Sequence, residues 1–194
     1  MLASINPLGE RARNQHYAIT VGAFVASATV AAAALGFTLG ALGRPLARPS
    51  LAIPLVAVGA AIGLVLDARG RVPGPRRQVD ENWLTTYRGW VYGAGFGAQL
   101  GAGFATIVTA SATWLAFACA FLSGSAVAGA AIGTVFGLVR ALPVLATARV
   151  RDPAALRACV RRIDRGRVPM MRTTTAVQSA AVVICGAVLA GARW

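Results

Sequence analysis

Few residues in this chain could do chemistry by type and spacing, so they come first. Three are the cysteines Cys119, Cys159 and Cys185. Thiol–disulfide exchange needs two sulfurs whose Cα atoms can come within about 6 Å. Cys119 and Cys185 each lie in an apolar stretch and Cys159 in a basic one, so Cys119 with Cys185 is the one pair that could carry a redox role. Isolated cysteines in apolar helices otherwise act as small hydrophobes. Arg140 is the single charge in residues 89–147 and stands three residues before Pro143. The proline ring frees a backbone carbonyl there. A guanidinium inside a membrane is costly, so Arg140 either serves function or reaches the headgroups. Gln99, Thr106 and Thr113 recur every seven residues and on one helix would share a face. That face would line a polar path or hydrogen-bond a neighbouring helix. His16 stands alone, and no acid pair, nucleotide loop or metal-ligand spacing is found. No catalytic residue, cofactor or metal is expected.

Positioning these residues falls to five apolar stretches. The chain of 194 residues is 57% hydrophobic and only 13% charged, about half the charge that a soluble domain needs to cover its surface. The expected fold class is all-α: a polytopic helical membrane protein forming a single integral membrane domain over residues 1–194. Its spans are expected at about 17–43, 51–66, 92–121, 125–147 and 174–192. Only helices or closed barrels satisfy the backbone in lipid, and these runs lack barrel-type alternation. Residues 1–16 carry Glu10, Arg11 and Arg13 and no apolar core, unlike a signal peptide, so span one is expected to be retained.

All 19 basic residues are arginine, against six acids. Basic chains often bind nucleic acid. Here the arginines flank apolar spans, which fits anionic lipid headgroups and topology control, and no nucleic-acid partner is expected. With the N-terminus inside, 15 arginines fall on the cytoplasmic side and three outside, namely Arg44, Arg48 and Arg193. The expectation is therefore N-in, C-out, in the inner (plasma) membrane, with cytoplasmic basic loops at 67–91 and 148–173.

Both basic loops read as partly helical. Trp83, Tyr87 and Trp90 would share one face of a helix over Asp80 to Tyr92. Asp152-Pro153 reads as the cap and first turn of a second helix to about Arg165. It sets Leu156, Val160 and Ile163 opposite Arg157, Arg161, Arg162 and Arg165, a surface for anionic lipid or for a cytoplasmic protein partner.

Glycines recur at four-residue spacing: Gly36 and Gly40, Gly59 and Gly63, Gly93, Gly97 and Gly101, and Gly129, Gly133 and Gly137. Such faces let helix backbones approach closely. Span one aligns with span four at an offset of 97, setting Phe24, Gly36 and Gly40 on Phe121, Gly133 and Gly137. Span two pairs with span five through Gly63-Leu64-Val65-Leu66 and Gly186-Ala187-Val188-Leu189. An inverted repeat of spans one and two with four and five is a transporter-type architecture.

The pattern resembles the cytochrome c biogenesis transmembrane family, the CcdA/DsbD-like thiol-disulfide carriers, shortened by the first helix. Ala23-Phe24-Val25 to Gly43 is similar to that family's second helix, Gly95-Phe96-Gly97 to Thr109 to its fourth, and Gly133 to Leu145 to its fifth. The resemblance implies two inverted three-helix repeats with one helix missing. The family's redox cysteines, each beside proline, have no counterpart, since the matching stretch of span three reads Gly103-Phe104-Ala105-Thr106-Ile107. The resemblance thus implies a small transporter, or an accessory of envelope redox or cytochrome maturation systems, without its own redox pair. The alternatives are a structural scaffold binding lipid or a partner through its arginines, and a carrier using Cys119 and Cys185. Reporter fusions placed near Arg77 and near Arg161 are expected to report the cytosol in both cases, and an external signal from either overturns the crossing order.

Overall fold

The structure is a computed structural model and describes residues 5–46, 48–75, 82–103, 105, 108 and 110–191. Among these residues the fold is all-helical. Eight α-helices are described: α1 (Pro7–Ala12), α2 (Tyr17–Gly43), α3 (Pro49–Ala68), α4 (Trp83–Thr86), α5 (Gly89–Gly101), α6 (Ala112–Leu122), α7 (Ala126–Ala141) and α8 (Pro153–Gly191). Short 3-10 turns follow α2 (Arg44–Leu46) and α7 (Leu142–Thr147). Four helical segments are long and apolar enough to cross a membrane: Tyr17–Leu46, Ser50–Ala68, Ala126–Thr147 and Pro153–Leu189.

The third apolar stretch is not the single helix expected over 92–121. It is two shorter ones, the 13-residue α5 and the 11-residue α6. Gly103 takes φ +70°, the left-handed conformation with which helices end, just past the α5 cap at Ala102. The described residues 105, 108 and 110 are not helical, and α6 begins at Ala112. A second left-handed glycine, Gly124 at φ +56°, makes the tight turn between α6 and α7.

Two further expectations are corrected. The aromatic helix over 80–92 is only α4, because Tyr87 and Arg88 are extended before α5 begins at Gly89. Trp83 therefore stacks on Phe96 with ring centres 6.0 Å apart, while Trp90 stays exposed. Residues 76–81 of that loop lie outside the described residues. The basic loop helix and span five are one helix, α8, of 39 residues. Asp152 Oδ1 accepts from Ala155 N at 2.7 Å to start it. The interior Pro169 does not end it, so α8 runs for ~58 Å at ~1.5 Å per residue, about twice the thickness of a hydrocarbon core.

The chain divides into two compact units: Met1–Ala32 with Arg76–Ile107 and Thr134–Arg167, and Ala33–Pro75 with Val108–Gly133 and Val168–Trp194. In the first unit α5 runs parallel to α2. A Cβ on Gly93, Gly97 or Gly101 would meet the carbonyl oxygens of Thr20, Phe24 and Ala28 in turn. Gly137 of α7 likewise faces the Ala28 carbonyl. In the second unit α2 and α7 run antiparallel. There the closest approaches pair Gly36 with Gly129 and Gly40 with Ser125, backbone against backbone. The core of the first unit gathers Ile5, Val21, Phe24, Ala28, Tyr92, Phe96, Ala141 and Val144.

These contacts set the sign of glycine substitutions. Gly97→Ala is expected to lower stability by about 1–3 kcal/mol, because a rigid backbone cannot make way for the methyl group. Gly22→Ala, with nothing within 4 Å of the added carbon, is expected to be neutral or to stabilise α2 by up to ~1 kcal/mol. Thermal unfolding of the two variants in detergent, side by side, checks the contrast.

Candidate functional site

Each unit holds one carboxylate surrounded by hydrogen-bond donors. In the second unit it is Asp67, in the last turn of α3. Its Oδ1 accepts from Ser111 N at 2.9 Å and its Oδ2 from Ser111 Oγ at 2.7 Å. Ser111 immediately precedes α6, whose first N–H groups have no partner within the helix. Asp67 therefore holds the N-cap residue of α6 from another helix, while the first-turn amides of Thr113 and Trp114 bond locally to the Ala110 and Ser111 carbonyls. Gln178 of α8 completes the cluster and is 2% exposed. The amide orientation that pairs both of its ends sets its nitrogen 3.3 Å from Asp67 Oδ2 and its oxygen 3.2 Å from Ala112 N, which donates to it; the Ser111 hydroxyl, 2.8 Å from that oxygen, gives its single proton to one of its two neighbours. Gly63 makes room for all three, since a Cβ there would lie 2.7 Å from Ser111 Oγ.

Phe121, near the end of α6, faces Gly43, the last residue of α2. Ser111 lies ~15 Å back along α6 at ~1.5 Å per residue. In the first unit α5 ends where Gly101 meets Ala28, in the middle of α2.

The first unit's carboxylate is Glu10 on α1, fully buried. It accepts from Tyr92 Oη and Arg13 Nη2, both at 2.6 Å, and from Thr20 Oγ1 at 2.7 Å. Burial opposes the Arg13 charge, but hydrogen bonds to Glu10 and Tyr92 outweigh it and raise the pKa of this guanidinium. Nearby, Gln15 Oε1 accepts from Gly89 N at 2.9 Å, ahead of the first turn of α5.

Several residues singled out by sequence sit elsewhere. Gln99 lies on α5 and Thr113 on α6, and Thr106 falls outside the described residues. The break between the two helices removes the continuous face that a seven-residue repeat requires. Thr113 is buried. Arg140 sits in the last turn of α7 with its guanidinium 5.2 Å from the Phe136 ring centre. Pro143 lies at the start of the 3-10 turn that follows. Arg157, Arg161, Arg162 and Arg165 are all exposed on the first turns of α8. The three cysteines are free thiols, with Cys159 Sγ 3.5 Å from the Ala146 carbonyl. Cys119 and Cys185 lie within electrostatic range of each other in the second unit. Together with the Ser111–Gln178 contact, this makes α6 and α8 parallel.

Neither carboxylate stood out by motif. For Glu10 the available signal was Asn6-Pro7, a helix-start pair that places Glu10 on the inner side of a short helix. For Asp67 it was a lone acid closing an apolar run. Comparison with protein-family models, curated proteins and solved structures finds no significant match.

Asp67→Ala leaves the Ser111 N–H and the Gln178 amide buried without an acceptor, a loss expected at about 1–3 kcal/mol. Ser111→Ala is expected to cost less, because the backbone N–H at that position still meets the carboxylate. Equal melting temperatures for the two variants would contradict the capping role of Asp67.

Proposed function

We propose that this chain is a five-crossing plasma-membrane protein, N-in and C-out, that works as a small proton-coupled transporter. What supports the reading is that the apolar stretch expected to form a third crossing is divided into the two shorter helices α5 and α6. Non-helical backbone at membrane depth persists only where protein buries it or where it lines a watery path. Discontinuous helices meeting near mid-depth are how many transporters build a substrate site. An intramembrane carboxylate beside such a break marks an ion or proton route by default.

Asp67 supplies the coupling chemistry. Ionised, its two oxygens accept from the Ser111 N–H, the Ser111 hydroxyl and the Gln178 amide. A proton carried on Oδ2 would be met by the Ser111 hydroxyl turning to accept it, which displaces the Gln178 nitrogen from that oxygen. Loading Asp67 would then loosen its tie to α8, which couples the carboxylate to movement of the helices around it. The antiparallel packing of α2 on α7 supports an inverted repeat, as does the opposite running of α3 and α8 in the second unit. Both accord with the CcdA/DsbD-like resemblance, stripped of that family's redox cysteines.

A second reading rests on Cys119 and Cys185, free thiols on α6 and α8 in the second unit: an intramembrane dithiol exchanging with a partner disulfide. Purified protein in liposomes loaded with a pH-sensitive dye separates the two. The transporter reading expects valinomycin-driven acidification above that of empty liposomes, abolished by Asp67→Asn and untouched by joint Cys119→Ser and Cys185→Ser substitution. Wild-type liposomes that acidify no faster than empty ones remove it.

A further inference from the structure

We infer that the segment from Ile5 to His16 is a detachable plug over one end of the first unit, with Glu10 as its latch. The segment gathers the ends of three elements. Tyr17 and Thr20 open α2, Gly89 and Tyr92 open α5, and Val144 and Thr147 belong to the turn after α7. All of them are touched by this short stretch or by the network it completes. Ile5 enters the core cluster beside Val21, Tyr92 and Val144 and is 1% exposed. Thr147 Oγ1 donates to the Ile5 carbonyl at 3.1 Å. Asn6 Oδ1 accepts from Gly9 N at 2.9 Å to start α1, and Asn14 turns the chain into α2 at φ +56°.

The character of this anchorage separates it from the rest of the unit. Elsewhere, backbones meet through glycine faces that run the length of long helices. A helix of six residues cannot persist alone in water. The segment is held by the Ile5 side chain and the Glu10 carboxylate, with single hydrogen bonds from Thr147 Oγ1 to the Ile5 carbonyl and from Gly89 N to Gln15 Oε1. The carboxylate is unusually well served, with Tyr92, Thr20 and Arg13 converging on it and Arg13 resting 5.7 Å from the Tyr92 ring centre. The one charged donor, Arg13, belongs to the plug itself, so when Glu10 leaves, the wall keeps only the Tyr92 and Thr20 hydroxyls. Those can turn to water. The wall is thus built to lose its ligand without stranding a buried charge, as a detachable contact requires and a permanent one does not. Release would open the Tyr92–Thr20–Gly89 end of the unit to the aqueous side.

The test uses the full chain in lipid nanodiscs with Cys119→Ser, Cys159→Ser and Cys185→Ser. A single thiol is introduced either by Val144→Cys, under the plug, or by Ala60→Cys, buried in α3 of the second unit. A water-soluble maleimide then reads opening at each site. Adding Glu10→Gln is expected to speed labelling at Val144→Cys by about ten-fold or more, through the opening equilibrium, while Ala60→Cys is unchanged. Tyr92→Phe, which keeps the ring and removes one donor, is expected to act in the same direction more weakly. Unchanged labelling at Val144→Cys in both variants overturns the plug. So does an equal rise at both thiols, which would mean that Glu10 holds up the whole protein. Labelling reads the release of this segment and liposome acidification reads Asp67, so either inference can fail without the other.

Discussion

The second unit turns on one constraint: a helix that begins within an apolar stretch needs partners for its first polar backbone groups. The third apolar stretch is divided between α5, which ends at Gly101, and α6, which begins at Ala112 behind its N-cap Ser111. Asp67 meets that need from α3, and Gln178 from α8. Three helices are thereby tied at one point by polar bonds, where lipid-facing helices ordinarily have only dispersion and close packing to hold them.

Within each unit, glycine lets main chains meet directly. Gly36 against Gly129 and Gly97 against Phe24 bring main chain to main chain. Contacts of this kind order few rotamers, so they sacrifice little side-chain entropy.

Much of this was legible in the residues. The apolar runs and their glycine spacing place α2, α3 and α7 close to where they lie, because period and length suffice for a buried or lipid-facing helix. The break was visible only as Gly101-Ala102-Gly103, which in a run so rich in glycine is indistinguishable from a packing face. Whether such a glycine packs or terminates depends on the tertiary neighbour, and no local signal reports it. The heptad of Gln99, Thr106 and Thr113 misled for that reason, since its logic presumes an unbroken helix. Glu10 and Asp67 were hidden differently. A carboxylate shows its role through the donors around it, and Tyr92, Thr20, Ser111 and Gln178 stand 10 to 111 residues away in the chain. The continuity of α8 was obscured by Pro169, which reads as a stop although it sits inside the helix.

The glycine faces carry a consequence for descent. A position where a carbonyl oxygen occupies the room of a β-carbon admits one residue type, however far the remaining residues drift. Apolar side chains that meet lipid are interchangeable, so most of this chain is free to change beyond recognition. Kinship would then survive as a spacing pattern of glycines at 36, 40, 97, 101 and 129, joined to an acid at 67, rather than as resemblance along the whole length.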